Sequence, residues 1–200
     1  MATSHQPLPV SGQTVQERGD AARNRGLLLD AARRLIAHRG PDAVTMDDIA
    51  NEAGVGKGTL FRRFGSRAGL MIVLLDEDEQ ALQRAFLSGP PPLGPSAPPL
   101  ERLLAYGRAR LAFVAEHLRV LCDAARDPQT RYSAPATLHR VHIRGLLEAA
   151  ETTGDLDAQA DALLSLLDPG YVAHQLEDTG RSLDELGRAW ESVARKLCGR

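Results

Sequence analysis

Thr45-Met46-Asp47-Asp48-Ile49-Ala50-Asn51-Glu52-Ala53-Gly54-Val55-Gly56-Lys57-Gly58-Thr59-Leu60-Phe61-Arg62-Arg63-Phe64-Gly65-Ser66-Arg67 is the stretch on which the reading of this chain turns. Thr45 is followed three residues later by Asp48, the spacing at which two side chains satisfy each other's orphan backbone amides at a helix start. Ile49, Ala50 and Ala53 then share one apolar face. Gly54 stands where a helix C-terminus favours a left-handed residue, and Val55 is placed to pack back under the turn. In the segment that follows, Leu60 and Phe64 stand four apart on one side of a second short helix. Lys57, Thr59, Arg62 and Arg63 are left on the other side or its flanks. Two short helices joined by a glycine turn, the second cationic, read as a helix-turn-helix.

Working outward, Leu28, Ala31, Ala32, Leu35 and Ile36 recur at three and four in a pattern that starts at Arg23, so a first helix runs up to Gly40-Pro41. Residues 1 to about 20 carry no periodicity and read as a mobile tail. After the motif, Ser66 is placed to cap a fourth helix whose apolar positions Leu70, Val73, Leu74, Leu82 and Phe86 continue to about Leu87. The proline-rich stretch from Gly89 to Pro99 cannot be helical and reads as an exposed, semi-stiff connection separating two parts of the molecule.

Beyond it, Leu100, Leu103, Leu104, Gly107, Leu111, Val114, Ala115 and Leu118 form a helical stripe, with a shorter helix following to about Arg126 and a break at Asp127-Pro128. Helical patterning returns over 135–152 and 155–167, with Pro169-Gly170 as a stop. Ser182 and Glu185 form a second capping box, and Leu186, Trp190, Val193 and Leu197 recur behind it. No segment alternates as a strand does, so the chain is read as all-α. The expected organisation is a tail over 1–20, a three-helix helix-turn-helix domain over 21–66 and a connecting helix over 67–88. A proline-rich loop over 89–99 and a helical body over 100–200 complete it.

The net charge of -2 over 200 residues hides an asymmetry. Residues 17–67 hold ten Lys+Arg against seven Asp+Glu, and residues 68–200 hold fourteen against nineteen. A basic front on an acidic body points to a polyanion partner for the front only, and the dominance of arginine favours bidentate phosphate contacts. Cys122 and Cys198 stand in no metal-ligand spacing, which suggests neither a disulfide framework nor a zinc site. The longest aliphatic run, Leu70 to Leu75, is far short of a membrane span, and a cytoplasmic protein is expected.

The threonine-capped helix, the glycine turn, the sequence Lys57-Gly58-Thr59-Leu60-Phe61-Arg62-Arg63-Phe64 and the Ser66-Arg67 opening of the next helix together resemble the TetR family of bacterial transcriptional regulators, from about Arg23 to Leu75. The resemblance implies a homodimer in which an N-terminal three-helix domain binds double-stranded operator DNA. A C-terminal helical domain would hold a small-molecule effector and dimerise through its last two long helices. It further implies that the third helix enters the major groove, where Lys57 and Thr59 reach bases, Gly58 allows close backbone approach and Arg62 reads guanine through its O6 and N7. Arg63, Thr45 with Met46 at the start of the second helix, and Arg67 at the start of the fourth are expected at phosphates. Arg23 and Arg25 are open to two readings, a DNA-contacting arm or plain solvation.

Two departures from the family pattern stand out. Phe61 occupies the place of a tyrosine whose hydroxyl meets a phosphate, and Gly56 replaces a residue that caps the third helix. The effector is expected between Leu104 and Leu176, with Tyr106, Arg110, His117, His142, Tyr171 and His174 as polar anchors.

Competing chemistry finds little support. Gly54-Val55-Gly56-Lys57-Gly58-Thr59 lacks the Lys-Ser/Thr order and the preceding strand of a phosphate loop. His139 and His142 share a helix face without an evident third metal ligand, and no catalytic constellation or cofactor is expected. The expected activity is that of a ligand-responsive repressor. An activator of the same family, or a helical binding protein or enzyme with a vestigial DNA-binding domain, are the alternatives.

Overall fold

The computed structural model describes residues 13–124 and 134–199, and every regular element among them is helical. The chain divides into two compact units between Leu74 and Leu75, a point inside one continuous helix rather than at the proline-rich stretch.

The first unit is built from α1 (Gln13–Arg39), a 3-10 turn (Pro41–Ala43), α2 (Met46–Ala53), α3 (Lys57–Phe64) and the start of α4 (Arg67–Ser88). Its core gathers Leu28, Leu29, Ala32, Val44, Ile49, Leu60, Phe64, Leu70 and Leu74. Each large aliphatic among them contributes about 1.5–3 kcal/mol relative to exposure. The helix starts ten residues before the apolar period at Arg23 does, so Gln13 to Asp20 belong to α1 and not to a tail. Periodicity reports only where a helix begins to bury a face, and this polar segment has none to bury. Residues before 13 lie outside the described part, as does the expected break at Asp127-Pro128.

The second unit takes the remainder of α4, then α5 (Pro99–Glu116), α6 (Leu118–Ala124), α7 (Ala134–Ala149), α8 (Leu156–Ser165), α9 (Pro169–Ala173), a π-helical turn (His174–Asp178) and α10 (Leu183–Leu197). Phe86, Leu103, Tyr106, Leu111, Ile143, Leu147, Leu163, Leu186 and Trp190 form its core. α10 starts on the expected box, with Ser182 Oγ accepting from the Glu185 amide at 3.3 Å and the Glu185 carboxylate accepting from the Ser182 amide at 2.8 Å. Its buried face is Leu186, Gly187, Trp190 and Ala194. Trp190 lies against Gly107 of α5 and donates its indole N–H to the Leu163 carbonyl at 3.1 Å.

Two sequence expectations are corrected here. Pro169-Gly170 does not stop the chain but opens α9, because Asp168 caps it by accepting from the Gly170 and Tyr171 amides at 2.9 and 3.1 Å. Proline at the first position of a helix loses only an amide that had no partner there. The proline-rich stretch is a folded loop of the second unit and does not separate two parts. Leu93 packs on that unit's core, Gly94 is buried, and Arg102 donates to the Leu93 and Phe86 carbonyls at 3.4 and 3.3 Å.

Candidate nucleic-acid interface

The turn between α2 and α3 is fixed from both sides. Thr45 Oγ1 accepts from the Asp48 amide at 3.1 Å, and the Asp48 carboxylate takes the Thr45 amide at 3.0 Å and its hydroxyl at 2.6 Å. These hydrogen bonds from Thr45 hold the Asp48 carboxyl below the usual carboxylate range. At the other end Gly54 adopts φ 63°, ψ 28°, and the Val55 amide returns to the Ala50 carbonyl at 3.0 Å. This closure satisfies the last carbonyls of α2 and turns the chain directly into α3.

In α3, Leu60 and Phe64 are buried, so the helix has one rotation available to it. Gly58, Phe61, Arg62 and Arg63 are thereby turned to solvent, with Thr59 half-buried beside them. Arg62 and Arg63 make no ion pair among the described residues. With Thr59, Asp20, Ala21 and Asn24 they line an open groove of about 550 Å³ between α3 and α1. Nothing lies within 4 Å of where a Cβ on Gly58 would stand, so its outward side is clear for close approach. Gly56 precedes α3 without a side-chain cap, as its lack of a side chain requires.

Other candidates are partly occupied by the protein itself. Lys57 Nζ sits 2.8 Å from one Asp47 carboxylate oxygen and 5.8 Å from the Phe61 ring centroid. Arg23 pairs with Asp20 at 3.2 Å, both side chains exposed. Met46 is 8% exposed, so its side chain belongs to the core and only its backbone marks the start of α2, which revises the expectation of a side-chain contact. Arg67 is the largest departure from the expected picture. Its Nε donates to the Val44 carbonyl at 3.1 Å and its Nη2 to the Pro41 carbonyl, so the guanidinium clamps the 3-10 turn ahead of α2.

The six expected effector anchors do not line one cavity. Tyr106 and Arg110 enter a buried network around Glu79: the Tyr106 hydroxyl lies 2.9 Å from His139 Nδ1, His139 Nε2 lies 2.6 Å from Glu79 Oε1, and Arg110 reaches Glu79 Oε2 at 2.6 Å. Burial would raise the Glu79 carboxyl, but the His139 hydrogen bond and the Arg110 charge bring it down to about 2. His117 is apart from these, with Nε2 3.1 Å from Asp78. His174 is exposed and joins Asp178 at 2.8 Å, while Tyr171 packs at the edge of the core.

Only His142 faces an open space. With Leu87, Arg102, Leu138, Val141 and Leu146 it lines a groove of about 290 Å³. Sequence reading missed Arg102, Glu79 and Asp78. The signal for the acids was present, since Leu75, Glu79, Leu82 and Phe86 follow one another at four, three and four and place a carboxylate on the inward stripe.

A short turn-linked pair of helices presenting arginines, carried by a chain otherwise composed of helices, defines a helix-turn-helix protein with a second helical unit. Residues 28–74 match the family profile of the bacterial regulatory proteins of the tetR family. The HTH-type transcriptional regulator BetI of Agrobacterium fabrum is 29% identical over 161 residues, covering 76% of this chain and 77% of that protein. Uncharacterised HTH-type transcriptional regulators of Mycobacterium tuberculosis are 35% identical over 77 residues, and that match spans 37% of their length. A TetR-like transcriptional regulator from a Rhodococcus species superposes with a TM-score of 0.57 at 25% identity, over 88% of this chain and 97% of that one. A regulator of Saccharomonospora viridis in complex with choline shares the fold, with a TM-score of 0.66 at 20% identity over 86% and 95% of the two chains. The chain belongs to the TetR family.

Proposed function

We propose that this protein is a transcriptional repressor that binds a pseudo-palindromic operator as a homodimer and is released by a small-molecule effector. The observation that carries the DNA-binding part is the rotation of α3, which buries Leu60 and Phe64 and turns Arg62 and Arg63 outward beside the clear surface over Gly58. In this reading the first turns of α3 enter the major groove, with Thr59 and Arg62 at base edges and Arg63 at a phosphate. The exposed Lys57–Asp47 pair costs little to open, so DNA can take the ammonium from it. Thr45 and the first amides of α2 receive a phosphate at the positive end of the helix. Arg67 then acts through the backbone it clamps.

One α3 spans a single half-site, so two copies related by a two-fold axis would mirror the symmetry of the operator. The groove beside His142 is the effector site this reading favours, its volume lying near the lower end for small-ligand pockets. Its one permanent charge is the Arg102 guanidinium, and its other lining is mostly apolar. That suits an organic anion with a short apolar part, whereas a quaternary ammonium such as the choline of the Saccharomonospora protein asks for aromatic faces.

The test is fluorescence anisotropy with labelled DNA taken from beside the protein's own coding region, set against random duplex over a range of salt. Saturable binding that favours the former and weakens steeply with salt is expected. Equal, weak binding to both duplexes would remove the regulator reading in favour of a binding protein or enzyme. Deletion of the coding region should raise expression of the adjoining gene, and a fall would make the protein an activator.

A further inference from the structure

We propose that Asp78, Glu116 and His117 form a binding site for a divalent first-row transition ion of the zinc type. The donor atoms of the three side chains all lie within 4.8 Å of one another. Asp78 comes from α4, Glu116 is the last residue of α5, and His117 follows it as the cap from which α6 departs. The chain thus brings together two carboxylates and one imidazole from two places 38 residues apart, with no local sequence spacing to announce it.

His117 is the observation that separates this cluster from an ordinary patch of acids. Its ring is 5% exposed, and neither Nδ1 nor Nε2 makes a hydrogen bond among the described residues. A buried imidazole without partners carries its desolvation cost uncompensated, a condition native proteins rarely keep unless an ion or water completes it. Nε2 nevertheless lies 3.1 Å from Asp78 Oδ2, so the ring is aimed at the carboxylate without the alignment of a hydrogen bond. Two donors bound to one tetrahedral ion at about 2.0–2.1 Å stand roughly 3.3 Å apart, close to that separation.

Charge argues the same way. Asp78 and Glu116 place two carboxylates beside each other, which a dication neutralises and a neutral imidazole does not. The mixed set of one nitrogen and two oxygens fits zinc and its first-row neighbours better than calcium, which prefers an all-oxygen shell. Glu116 is exposed, giving the ion a route in from solvent and leaving a coordination position for water. The bland alternative is a charged histidine paired with Asp78, which needs no metal.

The experiment uses the full chain, stripped with chelator and dialysed, titrated with Zn²⁺ by calorimetry and with Co²⁺ followed by visible absorption. One equivalent per chain is expected, with d–d bands characteristic of low coordination number and affinity that rises with pH as His117 sheds its proton. Glu116→Gln and Asp78→Asn should each weaken binding by about ten-fold or more, on the scale by which even outer ligand partners act. His38→Gln and His174→Gln, on exposed histidines, should leave it as it was. Circular dichroism checks that each variant is folded. Absence of saturable uptake, or unchanged affinity in either carboxylate variant, overturns the assignment. Because the readout is metal uptake and not DNA binding, the result stands whatever becomes of the repressor reading.

Discussion

His139 Nε2 lies 2.6 Å from the Glu79 carboxylate, sixty residues away in sequence, while its Nδ1 meets the Tyr106 hydroxyl at 2.9 Å. A neutral ring that donates from Nε2 and accepts at Nδ1 satisfies both contacts, and Arg110 and Gln83 complete the shell of Glu79. Burial is the main influence holding the His139 ring below its ordinary pKa, against the pull of Glu79. Burial, helped by the charges of Arg102 and His139, takes neighbouring His142 from 6.5 down to about 4.

Acid sensitivity follows from these two rings. Both are depressed in the folded state, so the unfolded chain binds more protons as pH falls below 6.5, and stability present above that value is lost on the way down to about 4. For His142 alone the loss is at most about 3 kcal/mol. Glu79 acts in the same direction lower down, losing its contribution between 4.5 and about 2. Thermal unfolding should therefore show a melting temperature that falls from pH 7 to pH 5. His142→Phe, which keeps the stacking on Phe86 at 4.2 Å, should flatten that dependence. An equal slope in the variant would show that His142 does not carry it.

Arg62 and Arg67 should separate on DNA. Arg62 is exposed and unpaired among the described residues, so Arg62→Ala should cost about 1–3 kcal/mol on the operator and relax one base position, with little effect on random duplex. Arg67 is tied to the Pro41 and Val44 carbonyls. Arg67→Ala should weaken all sequences alike and also lower the stability of the first unit by about 1–3 kcal/mol, the range for hydrogen bonds from a charged donor. Anisotropy on both duplexes, with thermal unfolding alongside, separates the roles. Equal losses on specific and random DNA for both variants would dissolve the distinction.

What could be read in advance divides along physical lines. Thr45 with Asp48, Gly54, and Leu60 with Phe64 act through neighbours in sequence, so spacing alone placed them and they stand as expected. The same holds for Ser182 with Glu185. The Glu79–His139 contact has no local signature, because only the packing of α4, α5 and α7 creates it. Tyr106 and Arg110 look like effector anchors in a sequence, since a polar residue on an apolar stripe fits a pocket or a buried network equally well. Pro169 was legible in principle, but only together with Asp168 before it.

Phe61 offers a gain-of-function test. It is 39% exposed on α3, where the family pattern places a tyrosine, and a para-hydroxyl added there points away from the core formed by Leu60 and Phe64. Phe61→Tyr should strengthen binding to operator and random DNA alike by about 0.5–1.5 kcal/mol, the range of one added hydrogen bond. The melting temperature should stay where it is. Unchanged affinity at low salt would mean that residue 61 does not face a phosphate.

Gly107 tests the packing that the second unit depends on. A methyl group there would overlap the six-membered ring of Trp190, which is 1% exposed and fixed by its hydrogen bond to Leu163. The ring has no free rotamer to take up, so α5 and α10 would have to move apart. Gly107→Ala should therefore destabilise by about 1–3 kcal/mol or more, although alanine is the better helix former. Trp190 is the one tryptophan of the chain, so its emission in a denaturant titration reports this contact directly. A lower midpoint and red-shifted native emission are expected. A midpoint raised by the gain in helix propensity would show that α5 and α10 are not in the close register described here.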